Sequence, residues 1–247
     1  MIRSISAILT LLLAALFCTD GESPAADWIF TKDFTGFSNL NGCQLTDQGL
    51  LNDGSSDKGT WLLMPDSPIF KELDALTVVA RAKALPTNKA GWFLYKTAPG
   101  GCDWGLCINT EQSKKNSDTY RIGFRISNVT KWIFVDRKKY PPENRNCFAF
   151  TVDLSGDRIP RLYINGEPAG QSDSFGLDDF FKDKDGTPIG TVDAYEFNGA
   201  TLPYSGKPLM IGGANAIKKN SFEGCIAGIR LFRTALTQQE VKEICSK

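Results

Sequence analysis

The sequence predicts an all-β protein, a sandwich or barrel of short antiparallel strands with one short helix near its C-terminal end. Three observations carry that prediction. From Trp28 onward, short runs rich in β-branched and aromatic residues alternate with clusters of Gly, Asn, Asp and Pro, the spacing expected of stacked short strands. In the clearest run Tyr120, Ile122, Phe124 and Ile126 fall on one face and Arg121 and Arg125 on the other, giving a half-buried strand of period two. Asn165-Gly166, directly after Arg161 to Ile164, supplies the two positive-φ residues of a type I′ turn that reverses the chain into Glu167-Pro168-Ala169.

The predicted strands, in order, are 59–64, 76–84, 91–96, 119–127, 131–135, 147–154, 161–165, 208–211 and 225–232. A helix follows them. Thr237-Gln238-Gln239-Glu240 is a capping box, in which the Thr hydroxyl accepts the N3 amide and Glu240 reaches back to the N-cap amide, and Val241 and Ile244 then share one face. No repeat, long linker or low-complexity tract marks an internal boundary, so residues 26–247 read as a single domain.

Residues 1–25 read as a signal peptide. Arg3 is followed by Ile5 to Phe17, a charge-free run of 13 residues, and Ser23-Pro24-Ala25 places small residues at −3 and −1 of a cleavage site. Such a run is shorter than the roughly 18–20 residues that span a bilayer, so no transmembrane segment is expected and the location is secreted or periplasmic/extracellular. Lys+Arg and Asp+Glu balance at 28 each, leaving no strong field to draw the chain to nucleic acid. There is no His, which removes Ser-His-Asp and Cys-His nucleophile systems and imidazole metal sites.

Six cysteines follow the signal segment: Cys43, Cys102, Cys107, Cys147, Cys225 and Cys245. An even number in an exported chain predicts three disulfides. Cys225 on a strand and Cys245 on the following helix lie 20 residues apart and are expected to pair, whereas the partners of Cys102, Cys107, Cys43 and Cys147 stay open.

Leu162-Tyr163-Ile164-Asn165-Gly166-Glu167-Pro168, then Pro208-Leu209-Met210-Ile211-Gly212-Gly213, then Phe222-Glu223-Gly224-Cys225-Ile226 through Leu236-Thr237, resembles the C-terminal half of laminin G-like jelly-roll domains of the concanavalin A-like lectin/glucanase superfamily. Leu76 to Lys83 is similar to an early strand of the same domains, so the resemblance covers roughly residues 70–245. It implies a two-sheet antiparallel jelly-roll β-sandwich, carbohydrate binding or adhesion, and in many members a structural calcium ion. The glucanases of that superfamily place paired carboxylates on one strand face. Glu72-Leu73-Asp74 begins like their motif, but residues 75–78 supply no second Glu, and the chain is read as non-catalytic.

Two segments are candidates for binding. Gly100 to Cys107 holds Asp103 and Trp104 in a Gly-rich stretch, where an exposed indole would stack on a sugar ring and the carboxylate would accept its hydroxyls. In the alternative, Trp104 is a core aromatic of a strand whose next inward residue is Leu106. The long acidic stretch Gln171 to Gly206 contains Asp183-Lys184-Asp185-Gly186, alternating carboxylates before a turn glycine, so Asp183 and Asp185 are the candidate calcium ligands. It is not a full EF-hand: Phe181 stands at the first ligand position and no Glu at the twelfth. Asn128-Val129-Thr130 is a glycosylation sequon for a eukaryotic source. The expected function is a secreted binding module for a glycan or extracellular glycoprotein, with a protein-adhesion or structural module as the competing reading and a glycoside hydrolase or lyase of the same superfamily as the second alternative.

Overall fold

The computed structural model describes residues 24, 26–31, 33–35, 39–52, 60–88, 91–111, 118–127, 129–172, 201–214 and 220–247. Asp183, Asp185, Asn128 and nearly all of the signal segment lie outside them. Strands, numbered in chain order, form two antiparallel sheets packed face to face. Sheet A runs β13 (Glu167–Gln171), β12 (Arg161–Ile164), β11 (Asn146–Asp153), β6 (Ala75–Ala84), β15 (Gly224–Phe232), β4 (Gly49–Asn52) and β3 (Gln44–Thr46). β1 (Ala26–Ile29) also pairs with β15, at residues 228–231, where β4 pairs at 224–226. Sheet B runs β10 (Val129–Asp136), β9 (Thr119–Ile126), β8 (Gly101–Asn109), β7 (Gly91–Ala98), β14 (Leu209–Ile211), β5 (Trp61–Met64) and β2 (Asn39–Asn41). Each predicted strand is present, and the strands at the centre of each sheet come from distant parts of the sequence, as in the expected jelly roll.

Alternation explains the core. Ile122, Phe124 and Ile126 of β9 and Phe148, Phe150 and Val152 of β11 point between the sheets, where Phe124 stacks on Phe150 at 4.0 Å and Phe93 meets Phe148 at 5.4 Å. Each ring so buried contributes about 2–3 kcal/mol. β7 and β8 break the alternation: their register shifts between Trp92 and Leu94 and again between Lys96 and Thr97. Phe93 and Leu94 therefore both enter the core, while Trp92 and Tyr95 both face outward.

The turn between β12 and β13 has the predicted chemistry, with Asn165 and Gly166 at φ 55° and 81°. Helix α1 (Gln238–Ser246) begins with the predicted capping box. It lays Val241, Ile244 and Cys245 over Val79, Cys147, Ala149 and Tyr163 on the outer face of sheet A. Thr77 anchors the approach to the helix, donating to the Thr234 carbonyl at 2.7 Å and accepting from the Leu236 amide at 2.9 Å.

The cysteine expectation is corrected. Cys245 pairs with Cys147, not Cys225, with Cα atoms 5.6 Å apart across a separation of 98 residues. The reason is the strand beneath the helix: α1 crosses the β11 side of the sheet, whereas Cys225 is the second residue of β15 and donates its thiol to the Gln48 carbonyl at 3.2 Å. Three disulfides are not found; Cys43, Cys102, Cys107 and Cys225 are free and buried. Cys102 and Cys107 stand five residues apart on one extended strand, a span of about 16 Å that no disulfide bridges.

Candidate functional site

The outer face of sheet B is built in rows by the strand register. One row runs Trp92, Cys107, Gly123, Trp132 across β7 to β10, and the next runs Met210, Tyr95, Gly105, Arg125, Thr130. The two glycines decide the shape. A Cβ on Gly105 would stand 2.7 Å from the Trp92 ring, and one on Gly123 would stand 2.8 Å from the Trp132 ring, so each indole lies across a glycine of the neighbouring strand. Trp92 meets the edge of Tyr95 at 4.8 Å, and the Arg121 guanidinium lies over Trp132 at 4.5 Å.

Between these groups is a cleft of about 260 Å³, lined by Trp92, Tyr95, Arg125, Thr130, Trp132 and Asn220. Arg125 donates through Nε to the Ser127 carbonyl at 2.7 Å, which fixes its guanidinium at the rim. Two positions along β10 from Trp132, on the same face, Phe134 is 61% exposed. Among the described lining residues there is no carboxylate. Burial pushes the Cys107 thiol up to about 12, against the opposing pull of Arg125, and raises Cys102 well above the ordinary thiol value. Burial therefore favours the protonated form of both thiols and works against thiolate chemistry on this strand. What the face offers is guanidinium donors, a hydroxyl and an amide set among aromatic rings, a few placed polar groups on an apolar surface.

The structure moves both residues of the predicted sugar site out of it. Trp104 is fully buried between the sheets, its ring 6.0 Å from Phe70, so the strand reading with Leu106 as the next inward residue holds. Asp103, on the β8 irregularity, is buried and accepts from the Ser205 amide at 2.9 Å and the Ser205 hydroxyl at 2.8 Å. Next to it the fully buried Lys96 donates to Asp66 at 2.7 Å and to the Lys207 carbonyl, and the Tyr204 hydroxyl donates to Asp66 at 2.6 Å. Partial burial opposes ionisation of Asp66, but the hydrogen bonds from Lys96 and Tyr204 outweigh it and hold its carboxyl below the usual value. Together these contacts pin the segment 201–208 to the end of sheet B. In the turn after β10, Arg137 donates to the Thr110 carbonyl at 2.6 Å, and the exposed Lys138 lies 3.4 Å from Asp118. Among the described residues no group of three or more Cys, Asp or Glu could hold a metal ion, and no helix is long and apolar enough to cross a membrane.

No family model and no curated protein matches the chain. Among solved structures, it is similar to the CBM40 module of Ruminococcus gnavus IT-sialidase bound to alpha2,3 sialyllactose. That match has 14% identity and a TM-score of 0.53, over 90% of this chain and 100% of the module. Trypanosoma rangeli sialidase in complex with the inhibitor DANA matches at 16% identity and a TM-score of 0.54, over 88% of this chain but 32% of the sialidase. The fold is a jelly-roll β-sandwich. At these identities the likeness carries the architecture alone.

Proposed function

We propose that this protein is a secreted, non-catalytic carbohydrate-binding module of laminin G-like type that takes its glycan on the outer face of sheet B. The observation that carries the reading is the pair of indoles seated on Gly105 and Gly123 around a cleft rimmed by Arg125. Phe134 supplies an exposed ring for the apolar face of a sugar, and Arg121 and Arg125 supply charged donors. Guanidinium groups without a carboxylate among the described lining residues favour an acidic sugar over a neutral one. The sialyllactose held by the similar module is a glycan of that class. Calcium bound by Asp183 and Asp185 is part of the proposal, on the alternating carboxylates that precede Gly186.

A glycan array with residues 26–247, in calcium and in chelator, tests this reading. Acidic glycans should bind, Phe134→Ala and Arg125→Gln should each weaken them about tenfold, and neutral glycans should bind less well. Loss of signal in chelator alone would assign the calcium. Binding that survives both substitutions would move the site elsewhere, and silence on the array would favour protein adhesion.

A further inference from the structure

The outer face of sheet A carries a second hollow, of about 290 Å³, beside the end of α1. Its basic walls come from four places in the sequence: Arg81 on β6, Arg145 in the turn before β11, Arg230 on β15, and Lys247 after α1. Asp27 on β1 is the one carboxylate among the described lining side chains, so three guanidinium groups face a single anionic side chain. The register places Arg81, Gly228 and Ile29 in one row, and Gly228 puts no side chain between the other two. Ile29, 60% exposed, and Ile244 from the helix give apolar walls.

The guanidinium groups are positioned but not used up. Arg81 donates to the Ile244 carbonyl at 2.7 Å, satisfying an orphan acceptor of the helix end. Arg230 pairs through Nε with Asp27 at 3.1 Å, and Arg145 donates to the Gln48 carbonyl at 3.3 Å. Each guanidinium has five N–H donors, and one contact fixes its plane while leaving others directed elsewhere. Lys83, outward on the same strand as Arg81, adds to the positive field, which reaches the Cys225 thiol and opposes the upward push of burial there.

We infer that this hollow is an oxyanion-binding site separate from the face of sheet B, taking a carboxylate, sulfate or phosphate group borne on a body of about one sugar ring. Planar guanidinium forks match such groups with two parallel hydrogen bonds, and the isoleucine walls accommodate the uncharged part of the ligand. The site stands independently of the sheet B proposal, because the two hollows lie on the outward faces of different sheets and share no residue.

The test uses the Phe134→Ala protein, so that sheet B contributes least, with amide and Arg side-chain NMR shifts followed during titration. Sodium glucuronate should move the signals of Gly228, Arg230 and Ile244 saturably, inorganic sulfate should compete with it, and glucose should do neither. Arg145→Gln together with Arg230→Gln should weaken glucuronate about tenfold or more while leaving the melting temperature nearly unchanged. Arg81 is kept, since it also caps the helix. Equal shifts with glucose, shifts confined to sheet B, or unchanged affinity in the double variant would overturn the assignment.

Discussion

The two outer faces of the sandwich solve the same problem in opposite ways. Each sheet has one face turned from the core, and an apolar row left there in water would invite aggregation. On sheet A, part of that face is covered by a helix, which buries Val79, Ala149 and Tyr163 and is tied to β11 by Cys147–Cys245. On sheet B, the face is dressed by its own side chains, with Trp92 and Trp132 lying across glycines and an arginine over one of them. The covered face is suited to stability, and the self-dressed face keeps aromatic edges and charged donors within reach of a ligand. The difference suggests where substitutions act on folding and where on binding.

The largest effect expected on the covered face comes from removing the disulfide. In the chain-entropy picture, a link across 98 residues is worth about 4–5 kcal/mol. Cys147→Ser with Cys245→Ser should lower the denaturation midpoint accordingly while leaving glycan binding intact in native conditions.

A contrast of two tryptophans sharpens the comparison. Trp104→Ala opens a cavity in the core and should cost about 3–5 kcal/mol. Trp132→Ala, on the half-buried rim of sheet B, should cost about 1 kcal/mol or less but weaken binding. Equal stability losses in urea titrations would erase the distinction between core and face.

The charged end of sheet B should show a pH signature. Because the folded carboxyl of Asp66 is held low, its contribution is present above the unfolded value of about 4 and is lost as pH falls through the folded one. Asp66→Asn should cost about 2–3 kcal/mol at pH 7, since it keeps an oxygen for the buried Lys96 ammonium but removes the charge paired with it. The gap between variant and parent should close in acid, as read by thermal melts from pH 7 to pH 2.

A small effect of geometric origin is expected at Gly123. Gly123→Ala would push the Trp132 ring off the sheet, for about 1 kcal/mol, and should impair binding more than Trp132→Phe does.

Much of this architecture was legible in the sequence because long strands bury one face and repeat with period two. β9 and the capping box of α1 are examples, in which each residue type reports a local requirement. The short strands β1 to β4 were missed: with three or four residues each, a run such as Asn39-Leu40-Asn41 has no period to display. Trp104 was ambiguous because Gly105 and the flanking cysteines imitate a loop, and only the inward series Trp104, Leu106, Ile108 marks the strand. The disulfide partner was missed for a different reason. Short sequence distance favours Cys225, but pairing depends on which strand lies under the helix, and that is set by strand order. The sheet B face did leave a signal, in Gly105 and Gly123 at mid-strand with tryptophans on neighbouring strands, since such glycines mark places where something approaches closely.

The link between Cys147 and Cys245 encloses the whole of 148–244, including the acidic stretch in which Asp183 and Asp185 stand. A protease that cuts anywhere in that span releases nothing. The two pieces remain one covalent molecule until a reductant reaches them, so a nicked sample would migrate intact on a gel run without thiol and fall into fragments on one run with it. In an oxidising, protease-rich environment, the proposed binding face on sheet B would therefore stay attached to both halves of the chain after the first cut.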